Sequence, residues 1–453
     1  MSLKMKLKSD AEAIFQAGLS RVHSRFLIEQ VLKLDGEILT VKTETEEFKV
    51  DLSLFKKIKL IGFGKASAQM AAGLCAVLGE RILIGLIVVK DSTTAKLPSC
   101  IEVLVGAHPV PNEKSFIAGK RILEFCQACA DDELVLGLIS GGASTLMEHP
   151  LEGLNHDDFL ITTQKLLTCG ATIHEMNCIR KHLSAIKGGR LACAIFPAAS
   201  LNFILSDVVG DDLSVIASGP TISDPSTFEE AWKIVEKYQL NDVLPLNVVK
   251  VLGIGSKMQE TPKLGEERLG RTKNILVGTN RQALIAAKNK AQALGYETII
   301  LSDELQGEAH LVAKKLHMFS REVAKGQMMK LPACILAGGE TTVTVKGTGK
   351  GGRNQEMALS FLSELQKSKA PHEAQIFLSA STDGGDGPTN AAGAFASVDI
   401  LKRAHEAKLN IDNFLNENDS YHFFERVDGL FKTGPTETNV CDLQILLIKK
   451  GPL

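Results

Sequence analysis

From residue 59 to 255, short and nearly unbroken apolar runs alternate with segments whose apolar residues recur every three or four positions. KLIGFG, ILIGLIVVK, IEVLVGAH, ELVLGLISGG and LNFILSDVVG are the runs. KASAQMAAGLCAVL, EKSFIAGKRILEFCQACA and two stretches between Asn155 and Cys193 have the helical spacing. Runs this uniformly apolar are strands whose two faces are both covered by helices, as in a parallel sheet. Thr227 and Glu230 form a capping box that starts a further helix. Residues 254–273 are polar, charged and glycine-bearing, which predicts a boundary. Beyond it NILVG, ETIILSD, ACILAGGE with TTVTVKG, IFLSASTDGG and the closing DLQILLIKK read as strands. Helices are predicted near 280–295, 307–326 and 353–367. The pattern predicts two α/β domains, 1–255 and 256–453, facing each other across a cleft.

The 453 residues are too many for one ordinary core, which agrees with two domains. A net charge of −2 gives no global field for nucleic acid or an anionic membrane, and 5% aromatics leave little for base stacking. An anionic ligand must therefore be held by local clusters. No apolar run approaches the roughly 20 residues that span a bilayer. MSLKMKLKSD lacks the apolar stretch of a signal peptide, and its first residues are set aside from the fold argument. Nine scattered cysteines suit a reducing compartment, so a cytoplasmic location is expected, with organellar or exported forms left open.

Five glycine loops end predicted strands: Gly62-Phe63-Gly64-Lys65, Ser140-Gly141-Gly142-Ala143-Ser144, Gly338-Gly339-Glu340, Gly347 to Gly352, and Gly384-Gly385-Asp386-Gly387. In open α/β sheets ligands bind beyond the carboxyl ends of strands. The densest loop, GTGKGG, has four glycines and a lysine in six residues, and a helix follows it at Arg353. Free N–H groups and a helix start aimed at one point suit phosphate. The P-loop pattern fails everywhere. G-x-G-x-x-G matches at Gly347, Gly349 and Gly352, but the acid at the end of the next predicted strand, Asp383, lies about 30 residues on rather than about 20, which weakens a dinucleotide reading. Asp207, Asp211 and Asp212 in one loop, and Asp383 and Asp386 in another, suit Mg²⁺ or a general base, or merely turns. EMNCIRKHLSAIKGGR, as one helix, puts Asn177, Arg180, Ser184 and Lys187 on one face with Lys181 beside it; an anion would relieve that row of cations, and a solvated face is the plainer reading. Cys126-x-x-Cys129 inside a helical pattern reads as structural, and His108 before a Pro-Val-Pro turn either touches ligand or orders its loop.

Taken together GFGKAS (62–67), GAHPVPNEKS (106–115), LISGGASTLM (138–147), MNCIRKHLSAIKGGRLA (176–192), LSDVVGDDLSVIASGPT (205–221), GGETTVTVKGTGKGGRNQE (338–356), STDGGDGPTNAAGA (381–394) and TGPTETNVCDL (433–443) resemble the class II glycerate kinases, or glycerate 2-kinases, whose C-terminal part is the MOFRL region, here about 333–443. The resemblance implies an N-terminal Rossmann-like, mostly parallel sheet domain, a second and smaller α/β domain, and an active site in the inter-domain cleft. It implies that ATP, with Mg²⁺, phosphorylates D-glycerate on its 2-hydroxyl, and that Lys65 and Arg353 are catalytic.

With the reading of the residues, this gives Lys65, Arg353 and Asp207 as expected catalytic groups. The expected nucleotide site is Gly62, Gly64, Ser140, Gly141, Gly142, Ser144, Gly347, Gly349, Gly351 and Gly352. Arg180, Lys181, Lys187 and Glu340 are expected at the substrate, with Asp386 and Asp383 at the metal. An NAD(P)H-dependent hydroxypyruvate reductase and a non-catalytic binder of a phosphorylated metabolite are the alternatives. The partners are small molecules, with no nucleic acid or membrane, and a homodimer is compatible with the sequence without being read from it.

Overall fold

A computed structural model describes residues 3–90, 95–255, 260–368 and 372–450. A three-stranded antiparallel sheet, β1 (Leu32–Asp35), β2 (Ile38–Lys42) and β3 (Glu47–Asp51), comes first and was not read from the sequence. The apolar runs become β4 (Lys57–Phe63), β5 (Ile82–Val89), β6 (Ile101–Val105), β7 (Glu133–Ile139), β8 (Ala199–Leu205) and β9 (Thr272–Gly278). They form one sheet in the order β6-β5-β4-β7-β8-β9, and every pairing is parallel. β7 is buried throughout and β4 from its second residue, which is why these two runs carry no alternation. Strand order reverses between β4 and β7, the switch point at which such a sheet opens to ligands.

The compact units are Ser24–Gly278 on one side and the residues up to His23 with Thr279 onward on the other. This corrects the boundary at 255/256. NILVG, assigned to the second domain from the sequence, is β9 and pairs with β8 from Ser200↔Thr272 to Leu205↔Gly278. Of the expected linker, residues 256–259 lie outside the described residues.

The other unit holds β10 (Glu297–Leu305), β11 (Ala333–Gly339), β12 (Gln375–Ser381), β13 (Gly393–Ser397), β14 (Leu430–Phe431) and β15 (Asp442–Ile448), in the order β10-β11-β15-β12-β13-β14. β10 and β11 are parallel, while β15 enters between β11 and β12 antiparallel to both. Its first residue, Asp442, therefore lies beside the last residues of its neighbours, Gly339 and Ser381. TTVTVKG is not a strand. It makes one bridge, Thr342↔Glu308, and the Glu308 carboxylate accepts from the Thr342 and Thr344 hydroxyls and the Thr344 N–H, leaving Val345 72% exposed. The opening residues set aside above form the helix Leu3–Arg21, which packs on the helix Asn280–Ala293 and holds Tyr296 and Lys449 through Asp10, at 2.6 and 3.1 Å. Among the described residues no helix is long and apolar enough to cross a membrane.

Candidate active site

In the unit Ser24–Gly278 the loops after β4 and β7 are stitched together at the switch point. Lys65 N–H donates to Gly141 O at 3.0 Å, and Ala66 N–H donates to the Ser140 hydroxyl at 3.0 Å. The Lys65 side chain lies along Gly142. A Cβ built there, at φ +81°, would come within 3.3 Å of Lys65 Cγ and Cε and 3.1 Å of His108 Cδ2. A Cβ on Gly141 would sit 1.7 Å from Asp207 Oδ2, so only glycine lets the β7 loop lie against that carboxylate. The carboxyl ends of β4, β7 and β8, with the loop after β6, thus bring together Lys65, Gly141, Gly142, Asp207 and His108. Ser144 is part-buried in the short helix Ala143–Leu146 of the same loop. Gly62 lies inside β4 against Ile87, where it serves packing.

The cation row does not hold as one helix face. The helix Ile173–Leu183 ends at an extended Ser184, and Lys187 follows in a turn before the helix Arg190–Ile195. Two of the expected anion-binding cations already have carboxylates. Lys181 Nζ donates to the buried Asp224 at 3.1 Å, and Lys187 pairs with the wholly buried Glu148, which also accepts from the Ser184 hydroxyl at 2.5 Å. Burial works against charge on Asp224, but Lys181 and the Ser226 hydroxyl outweigh it and its pKa is lowered. Burial pushes Lys187 down against the pull of Glu148. Arg180, also held down by burial, keeps a buried Nε with no hydrogen-bond partner, so of the three it alone retains a donor for a ligand.

In the other unit Arg353 opens the helix Arg353–Lys367 and is clamped by acids. Its Nε and Nη2 donate to the two oxygens of Asp442 at 2.6 and 2.9 Å, and Nη1 pairs with Glu340 at 2.8 Å. Burial alone would lower its pKa, but Asp442, then Glu340 and Asp386, raise it instead. Three of the five guanidinium N–H groups thus fix the side chain. Asp442 is 0% exposed, and its backbone carbonyl and that of Val440 accept from Asn280 Nδ2 at 2.9 and 2.7 Å. Glu340, expected at the substrate, is a partner of Arg353.

Asp386 is not placed as an open metal ligand. Its two oxygens accept from the Asn354 and Gln355 N–H groups at 3.0 and 2.8 Å, capping the helix that Arg353 begins. Burial pushes its pKa up to about 6 in spite of those hydrogen bonds. Asp383 accepts from the Ser381 hydroxyl and the Gly385 N–H, at 2.8 and 2.9 Å. Among the described residues no group of three or more His, Cys, Asp or Glu could cage a metal.

The glycine-rich loop also differs from its expected role. Lys346 and Gly347 N–H donate to Asn418 Oδ1, Gly349 N–H to Glu417 O and Lys350 N–H to Asp419 Oδ1, at 2.7 to 3.1 Å. Built Cβ atoms at Gly347, Gly349, Gly351 and Gly352 would meet Glu417, Asp419, Ser420 and Asp386 within 2.4 Å. These glycines admit close packing of the chain on itself, and four of the loop's amides are already satisfied. Asp442 and Asn280 were missed in the sequence; the TNVCDL stretch contained the acid but nothing local that tied it to Arg353.

The chain matches a domain family of unknown function, DUF4147, over residues 10–253 and the MOFRL family over residues 333–442. It is 39% identical to D-glycerate 2-kinase of Thermotoga maritima, over 86% of this chain and 91% of that protein. It is also 40% identical to an Agrobacterium vitis protein named as a hydroxypyruvate reductase, over 86% of each. The crystal structure of glycerate kinase from Thermotoga maritima superposes with a TM-score of 0.85 at 36% identity, over 98% of this chain and 100% of that one. The chain belongs to the class II glycerate kinase family, with a MOFRL region at its C-terminal end.

Proposed function

We propose that the protein transfers the terminal phosphoryl group of ATP to the 2-hydroxyl of D-glycerate, giving 2-phosphoglycerate and ADP. The observation that carries this reading is that each unit presents one cation, beside acids, at the carboxyl end of its own sheet: Lys65 near Asp207, and Arg353 between Asp442 and Glu340. Phosphoryl transfer needs positioning and charge neutralisation more than covalent chemistry. Arg353, already oriented by its two acids, serves the transferring group with its remaining N–H donors. Lys65 supplies the second charge, Asp207 takes the proton of the attacking hydroxyl, and the buried donor of Arg180 serves the substrate carboxylate.

Mg²⁺ would be bound chiefly through the nucleotide's phosphates, as this ion prefers one or two carboxylates and keeps its waters. Asp383, at the end of β12, is the ligand that fits, since Asp386 is engaged at the helix start. The metal would neutralise charge on the phosphates.

A reductase is disfavoured because the G-x-G-x-x-G glycines are accounted for by packing on residues 417–420 and Asp386. Phosphorus NMR after incubation with ATP, magnesium and D-glycerate tests the proposal: a 2-phosphoglycerate resonance that grows with ADP is expected. Consumption of NADH with hydroxypyruvate, and no phosphorylated product, would replace it.

A further inference from the structure

At the opposite end of β12 from Arg353 lies a cavity of about 510 Å³, between the helix Leu3–Arg21 and the helix Val398–Glu406. That volume lies within the roughly 300–1,000 Å³ of small-molecule sites. It meets β12 at Gln375 and Ile376, six residues before Ser381, or about 20 Å along an extended strand. Buried side chains of Leu7, Ile376 and Phe395 contribute an apolar lining.

The charges around this lining sort into pairs with a remainder. Lys4 pairs with Asp399, Lys402 with Glu373 at 3.0 Å and Arg403 with Asp428 at 3.5 Å. Two lining groups are left over. Lys8 has no carboxylate among the described residues; its ammonium stands 5.2 Å from the centroid of the Phe395 ring. Glu406, on the facing helix, has no cation. Gln375 adds a third signal. It is 3% exposed, and its amide oxygen accepts no hydrogen bond, a cost that a donor from a ligand removes.

One unpaired ammonium, one unpaired carboxylate and a buried acceptor over an apolar lining complement a zwitterion with an apolar body. We infer that this cavity binds an α-amino acid with a large apolar side chain, its carboxylate at Lys8 and its ammonium at Glu406, with Gln375 within the same cavity. The site is separate from the phosphoryl-transfer residues, and its occupant is neither substrate nor product of the proposed reaction.

Isothermal titration of the full-length chain with L-phenylalanine tests this. Saturable binding is expected, weakened at least about tenfold, or about 1.4 kcal/mol, in Lys8→Glu and in Glu406→Lys. Both substitutions sit on exposed helix positions, and an unchanged melting temperature shows that the fold is intact. 3-Phenylpropanoate, without the ammonium, and phenethylamine, without the carboxylate, should each bind at least about tenfold more weakly than the amino acid. Arg353→Ala should bind L-phenylalanine as the parent does. Absence of saturable binding, binding that survives both charge reversals, or binding lost with Arg353 would overturn the inference.

Discussion

Lys65 and Arg353 are both cations at the carboxyl ends of strands, yet the two sheets deliver them by different means. Around Lys65 the sheet is wholly parallel, and the place is set by strand order, because the loops after β4 and β7 flank the reversal. Around Arg353 the sheet is mixed. β15 runs against its neighbours, so its beginning lies at the end where β11 and β12 finish, and Asp442 is delivered there from about 90 residues further along the chain. The first arrangement leaves a lysine in a loop. The second holds an arginine by three donors in a buried acidic clamp. One site is made by topology and the other by a specific long-range ion pair, so they should fail differently when perturbed.

The largest effect expected is loss of turnover, by about 10²–10⁵, in either Lys65→Ala or Arg353→Ala, measured as kcat on D-glycerate with folding checked by circular dichroism. Unchanged turnover in both folded variants would remove the mechanism. Asp442→Ala separates the two regions: it should cut kcat by about 10²–10³ by releasing Arg353, and cost about 3–5 kcal/mol in urea unfolding, since it strands a largely buried charge. No carboxylate clamp of this kind is described at Lys65.

Glu148→Ala strands Lys187 and should also cost about 3–5 kcal/mol. Its KM for D-glycerate should change less than that of Arg180→Ala, because Lys187 is taken as structural and Arg180 as a ligand group. A larger KM effect at Glu148 would return Lys187 to the substrate site. The smallest effect concerns pH. The Asp386 carboxyl sits at about 6 when folded, against its ordinary 3.8. Between these values the folded state holds more protons than the unfolded one, so raising the pH through this window lowers stability. Urea midpoints at about pH 4 and about pH 7 should show a drop that Asp386→Asn lacks.

The apolar strands were legible because burial on both faces leaves no polar alternation, and the GFGK turn after β4 marks where the first run stops. The parallel sheet, Lys65, the β7 loop and Asp207 could therefore be placed. The row Arg180–Ser184–Lys187 misled for a physical reason. Its spacing mimics a helix, but Ser184 leaves the helix to bond Glu148 and to form a bridge with Pro150, from a segment more than 30 residues earlier. GTGKGG misled similarly: close approach to residues 417–420 requires glycine just as an anion would, and a local reading cannot tell which. Asp442 was invisible because a closing strand carries no sign of which strands it will enter between. The small sheet β1–β3 was missed because its strands alternate weakly and are only partly buried.

The helix Leu3–Arg21 belongs to the same compact unit as β15, although one opens the chain and the other closes it. During synthesis that helix leaves the ribosome with Asp10 awaiting Tyr296 and Lys449, residues still to be translated. The intervening unit can fold in the meantime, so maturation of the arginine-bearing half is the last event in the protein's assembly. A late stop codon that removes only β15 would leave both an early helix and the acid clamp without their partners.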